Sequence, residues 1–352
     1  MKATPHILVI NGTKVRRPVF VLGSPHSGAD LLARAVKRSA GFHLTIGRPG
    51  VLQMVYAFAQ RPSIATDSGR GAARVLRDAY AEAWQISGAG CAGCRADCWE
   101  AAGLRPPEDG ARDPGSCVEP RGVDRFGDAS PDLIYSADVL LDAFPDAQLL
   151  QVIRDGRDVV ADMLDDERCL AWFKPGLTNL DQVFPNPFLG VEEVMERARW
   201  PRAAAAVKCA LRWRGSVRLS ARLRAQTPEE QLLTVRYEDL VRRPGAIADE
   251  VSGYLGSQLS KLALTSLVRE AGGTRQEELR RPDARRPEPR RPELRLPELR
   301  RPDPRKGESR RGDRDEDRRR PGGRLTPRQI QQVERIAGTE LSRLGYPLSG
   351  GG

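Results

Sequence analysis

The segment Gly23-Ser24-Pro25-His26-Ser27-Gly28 places two glycines at the G-x4-G spacing of a loop that wraps its backbone around an anion. In such a loop the amides, together with the first turn of the next helix, point at one spot. The helix dipole favours negative charge there, so an anion is held without side-chain help. A nucleoside-triphosphate loop continues with Lys and then Ser or Thr, which serve the phosphates and magnesium. Here those positions are Ala29 and Asp30, which argues against a magnesium-dependent NTPase. An ordinary tight strand-to-helix turn shares the same glycine spacing, and the motif alone does not separate the two.

A second group with chemistry is Cys91-x2-Cys94-x3-Cys98, followed by Cys117. Three thiols within eight residues of a Gly-rich stretch can close on one ion, and a fourth, more distant thiol completes a tetrahedron. The expectation is a structural zinc site. Thiols without metal, or a labile disulfide, are the alternatives. Cys169 and Cys209 fall in segments expected to be ordered and read as plain buried residues.

These groups need elements to hold them. Pro18–Gly23 is a short apolar, β-branched run that reads as a buried strand. It is followed by Leu31, Leu32, Ala35 and Val36 at helical spacing. Residues 41–85 are mixed, with a helix expected over Gly71–Gln85, and residues 86–130, rich in Gly, Pro and Cys, read as an insertion. Helices are expected over Ser136–Phe144, Gly156–Leu164, 202–226 and Pro244–Leu255, with strands over Gln148–Ile153 and Leu232–Arg236. Strands alternating with helices imply a parallel sheet covered on both faces. The fold class is α/β, with residues 1–274 as its main unit. Thr326 (an N-cap), Pro327 (a first-turn residue) and a following apolar face with Val333, Ala337 and Leu341 mark a last helix that packs back on the domain over 325–347.

Between these lies a low-complexity tract, residues 275–324, with 19 basic and 12 acidic residues, so most of the net charge of +10 sits there. Its five-residue repeat, typified by Arg-Arg-Pro-Glu, puts proline where no continuous helix survives, and its charge density forbids a core. A disordered insertion is expected. It reads either as a solvated linker that its own acids largely neutralise, or as a contact for nucleic acid. It has no aromatic residue for base stacking. No apolar stretch reaches the roughly 18 residues of a membrane span, and a cytoplasmic location is expected.

The chain resembles the sulfotransferases that use 3′-phosphoadenosine 5′-phosphosulfate (PAPS), in their bacterial branch. Four stretches carry the resemblance. Pro18–Val36 is similar to the 5′-phosphosulfate loop. Asp124–Leu164 is similar to the W-G-[ED]-K-[TS]-P segment with the 3′-phosphate strand and helix. Leu232–Pro244 and Leu325–Tyr346 follow in the family's order. The resemblance implies a P-loop-like three-layer sandwich with a central parallel sheet. The resemblance implies a sulfuryl transfer from PAPS to a hydroxyl or amine of a small-molecule or carbohydrate acceptor shaped by residues 41–85 and 168–200. By position it implies donor binding by Pro25, His26, Ser27, Gly28, Ala29 and Asp30, and by Arg154 and Asp162. It implies Asp128 as the base that takes the acceptor proton, beside the plainer reading of Asp128 as a carboxylate capping a turn. His26 stands where the family has Lys or Arg, Ala29 and Asp30 where it has hydroxyls, Ala129 where it has Lys, and Asp162 where it has Ser. These departures remove two cations and add two acids, so weak PAPS binding is expected. Three explanations stay open: a degenerate, non-catalytic binding module of the same fold, a different donor, or acids that turn away or are countered by Arg34 or Arg157.

Overall fold

The structure is a computed structural model that describes residues 7–60, 69–87, 90–92, 94, 96–107, 116–174, 188–280 and 324–349, with backbone only for 59–60, 69–70, 90 and 273–280. The repeat tract beyond Arg280 lies outside the described residues. A small hairpin, β1 (Val9–Ile10) and β2 (Thr13–Lys14), precedes the main sheet.

That sheet has five strands. They are β3 (Val19–Gly23), β4 (Phe42–Thr45), β7 (Arg125–Asp128), β8 (Gln148–Ile153) and β9 (Leu232–Arg236), in the order β4-β7-β3-β8-β9. All neighbours are parallel. From β3 the chain moves out to β4, returns to β7, and then crosses to β8 on the other side of β3. The loops leaving β3 and β8 therefore diverge at their carboxyl ends, which opens the crevice where open α/β sheets bind ligands.

β3 is buried on both faces, as expected of an apolar strand inside a parallel sheet. Phe20 and Leu22 face one core, with Leu149. It is filled by α2 (Pro49–Gln60), α3 (Gly69–Ala83), α5 (Ala137–Ala143), α6 (Gly156–Asp165), α9 (Ala205–Gln226) and α13 (Pro327–Arg343). Val19 and Val21 face the other, with Leu150, Val152 and Val235, against α1 (Ala29–Lys37), α11 (Pro244–Leu255) and α12 (Lys261–Arg280). This is the three-layer sandwich the sequence implied.

β4 and β7 are differences from the sequence reading, which saw mixed structure over 41–85 and an insertion over 86–130. Residues 125–128 are a core strand, so the insertion ends before them. It carries β5 (Ile86–Ser87), β6 (Gly90–Cys91) and α4 (Ala96–Ala101). In β7, Gly127 allows the close approach of β3, because a Cβ there would lie 2.4 Å from the carbonyl oxygen of Val19. α12, where the sequence reading named no element, continues as helix to Arg280, into the segment expected to be disordered.

α13 starts as its residues dictate. Thr326 accepts from the Gln329 amide while the Gln329 side chain accepts from the Thr326 amide, a capping box, and Pro327 takes the first position. Its buried Val333, Ala337 and Leu341 join the core shared with α6 and α9.

Candidate functional site

The loop between β3 and α1 turns sharply. His26 (φ 60°) and Gly28 (φ 91°) adopt left-handed conformations, and the Ser27 amide donates to Ser24 O at 3.1 Å. Gly28 is required twice over. Its φ favours glycine, and a Cβ would lie 2.3 Å from the ring of Tyr237, which follows β9. Ser27 is buried, and its Oγ has no partner among the described residues.

Arg154 leaves the carboxyl end of β8 beside this loop. Its Nη1 donates to His26 O at 2.8 Å and to Asp162 Oδ2 at 2.7 Å, and its guanidinium carbon lies 4.5 Å from the Tyr237 ring centroid. The side chain is 4% exposed, yet Nε and Nη2 have no partner among the described residues. The chain therefore brings Arg154 and the glycine loop together at one edge of the sheet. Buried, unanswered donors on a guanidinium and a serine hydroxyl are what a phosphate oxygen satisfies.

The acids are arranged differently from the expectation. Asp162, one helical stretch later on α6, is countered by Arg154 itself and not by Arg157. Arg157 is engaged by Asp155 at 2.7 Å and by Glu334 at 3.0 Å. Asp155 caps α6, and its own amide donates to Glu238 at 3.0 Å. Asp30 is exposed in the first turn of α1, and Pro25 and Ala29 are half-buried beside it. Ala129 packs on the second core, with its amide bonded to Thr45 O.

His26 does not stand alone. Its Nε2 is 3.1 Å from Asp166 Oδ2 and 3.7 Å from Cys169 Sγ. Asp166 caps α7 (Glu167–Ala171). Burial works against its charge, but the amide and guanidinium of Arg168 and the nearby His26 hold its carboxyl below the usual range. Burial pushes the Cys169 thiol up to about 12, so Cys169 is a neutral neighbour. Behind it, Arg212 of α9 holds Asp132 through two bonds of 2.8 Å, both groups buried. Arg212 also lies over Phe188, and Tyr56, Trp172 and Phe188 pack together with centroids 4.8 to 6.0 Å apart. Residues from the two regions expected to shape an acceptor site thus meet in one aromatic cluster against Arg212.

Asp128 closes β7 with no exposed surface. It accepts from Thr45 Oγ1 at 2.7 Å, from the Ser130 amide at 2.8 Å and from Tyr80 Oη at 3.3 Å. Burial raises its carboxyl from the ordinary 3.8 to about 6, against those bonds. The pKa would suit a general base, but the group is sealed from any acceptor in this conformation. The four cysteines, by contrast, do meet, with all four Sγ atoms within 4.8 Å of one another.

Three features of the site carry no local signal in the sequence: Asp166, 140 residues from His26, the Arg212–Asp132 pair, and the Tyr237 ring under Arg154. Asp132 and Tyr237 lay in stretches already singled out, but neither was picked as a site residue.

A parallel α/β sandwich with a glycine loop and a buried arginine at its switch point defines a P-loop-like α/β protein with a candidate anion site. A family model described as "Sulfotransferase family" matches residues 18–174, a little under half of the chain. No curated protein matches at a significant level. Among solved structures, sulfotransferase STF9 from Mycobacterium avium aligns at 12% identity over 96% of this chain and 79% of its own, with a TM-score of 0.41. The sulfotransferase domain of the Synechococcus PCC 7002 olefin synthase aligns at 15% identity over 72% and 78%, with a TM-score of 0.38. A sulfotransferase from Alicyclobacillus acidocaldarius aligns at 16% identity over 70% and 83%, with a TM-score of 0.37. At these TM-scores the likeness carries no residue-level correspondence.

Proposed function

We propose that the chain binds PAPS over the β3–α1 loop and Arg154 and supports sulfuryl transfer to an acceptor hydroxyl or amine beside His26. One observation carries this reading: the loop and Arg154 converge, with Ser27 Oγ and Arg154 Nε and Nη2 buried and unanswered. These donors fit a doubly phosphorylated nucleotide. The loop amides and Ser27 would hold the 5′ end and Arg154 the 3′-phosphate, on the Tyr237 ring. Bound PAPS supplies an activated sulfuryl group on a phosphate leaving group.

The proton-accepting role goes to His26 and not to Asp128. With Nε2–H donated to Asp166, Nδ1 is the ring nitrogen left to accept a proton. His26 is partly exposed at the loop, whereas Asp128 is sealed. Asp166 orients the ring and steadies the imidazolium that forms.

A second reading, a non-catalytic nucleotide-binding module, is favoured by one contact. Asp162 already occupies Nη1 of Arg154, so an incoming phosphate competes with a carboxylate. Calorimetric titration with the desulfated nucleotide separates the readings when combined with turnover. Saturable binding lost in Arg154→Ala supports the donor site. Binding without any sulfuryl transfer, on a broad acceptor panel, favours the second reading.

A further inference from the structure

The geometry points to a closed structural zinc site made by Cys91, Cys94, Cys98 and Cys117, neutralised by Lys37 and Arg48, which staples the 86–122 insertion to the edge of the sheet. It stands apart from the donor reading, since none of these groups belongs to that site.

The sulfurs are spaced for one ion. Cys91 Sγ and Cys98 Sγ each lie 3.4 Å from Cys117 Sγ and 4.0 Å from one another, and Cys94 completes the group within 4.8 Å. A zinc–sulfur bond of about 2.3 Å gives a tetrahedral edge of about 3.8 Å, in the middle of these separations. A disulfide needs about 2.05 Å, which none of the pairs approaches. A span under 4.8 Å leaves room for a single ion and none for a multi-iron cluster. Because all four positions are thiols, no site is left open for a reacting water, which is the mark of a structural centre.

The backbone is built to present them. Cys91 ends the β5–β6 hairpin, the Cys94 amide turns back to Cys91 O at 3.0 Å, and Cys98 follows on α4. Cys117 arrives from the other side, just before the 3-10 turn Pro120–Gly122 that leads into β7.

Two cations point at the sulfurs. Arg48 Nη2 lies 2.9 Å from Cys91 Sγ and 3.3 Å from Cys98 Sγ. Lys37 Nζ lies 3.7 Å from Cys117 Sγ and also donates to Leu44 O at 2.9 Å. Both side chains are buried. Thiolates answer a nearby cation better than neutral thiols do. On loading, the four thiols lose their protons, and zinc with four thiolates carries two negative charges, which Lys37 and Arg48 offset. Such outer partners fix ligand orientation and strengthen binding. Arg48 also ties the site to α2, since Leu52 N–H donates to Arg48 O at 2.8 Å, and α2 carries Tyr56. A cavity of about 490 Å³ between Ser87, Leu104 and Glu119 reaches Cys117 and gives ion and chelator a way in.

The test is the metal content of the full chain, made without added zinc and purified in mild reductant. About one zinc per chain is expected, and cobalt exchange should give the intense visible bands of a tetrahedral thiolate site. Cys209→Ser, a buried cysteine on α9, should keep the metal, and Cys117→Ser should lose it. Arg48→Met and Lys37→Met should weaken metal affinity about 10- to 100-fold in chelator competition. Should Cys117→Ser fail to fold, chelator titration of the unmodified chain decides. Zinc release with a fall in Tm supports the staple, and release without any change in Tm overturns it. Less than about a tenth of an equivalent of zinc, a mass deficit showing paired cysteines, or full metal retention in a Cys91→Ser/Cys117→Ser variant would also overturn it.

Discussion

At the scale of single residues, the account rests on how a few charges are answered. Arg154 is shared between the His26 carbonyl and Asp162, and its two remaining donors wait for an anion. Asp162→Ser should therefore tighten binding of the desulfated nucleotide by about tenfold or more, the worth of one freed charged hydrogen bond. The same variant should lower Tm without ligand, because it strips a buried guanidinium of its partner, and regain it with ligand. A thermal shift series reads both effects. His26→Asn, which tolerates a positive φ, should cost about 10² to 10⁴ in turnover while nucleotide affinity barely moves, since only the backbone carbonyl of residue 26 meets Arg154. Equal loss of both would remove His26 from the proton transfer. Ser27, Gly28 and Arg154 were legible in the sequence because they belong to contiguous motifs. Asp166 was not: its meeting with His26 is made by the crossing of β3 and α6–α7, and no local periodicity encodes it.

At the scale of elements, the Arg212–Asp132 pair holds the turn after β7 against α9. Arg212→Met should cost about 3–5 kcal/mol by leaving Asp132 buried without its counter-charge, measured by denaturant unfolding. An Asp132→Asn/Arg212→Met double variant should recover part of that loss. β3, β8 and β9 were visible as strands because each centres on apolar or β-branched residues, buried on both faces in β3 and β8 and half-buried along the edge strand β9. β4 and β7 were hidden. Four residues are too few to show a period. Arg125 and Asp128 put charges at both ends of β7, and Asp128 is tolerated inside only because Thr45, Tyr80 and the Ser130 amide answer it. The helices fared better, since capping residues such as Thr326 and Pro327 mark their starts irrespective of burial.

At the scale of the whole molecule, one buried carboxyl shapes the pH dependence of stability. Asp128 titrates at about 6 in the folded chain against an ordinary 3.8. Below about 4, folded and unfolded chains both hold the proton. Between there and 6 the unfolded chain releases it and the folded chain does not, so this group's contribution falls as pH rises, by about 3 kcal/mol in all, and stays level above. Asp128→Asn should flatten that part of a Tm-against-pH curve, and an unchanged slope would contradict the assignment. The central claim is that the sheet edge built by β3 and β8 is a donor site. The most direct measurement is calorimetric titration of 3′-phosphoadenosine 5′-phosphate into the unmodified chain and its Arg154→Ala variant. Saturable one-to-one binding in the first and none in the second is the expected result. No binding in the unmodified chain and in Asp162→Ser alike, or binding that survives Arg154→Ala undiminished, would contradict it.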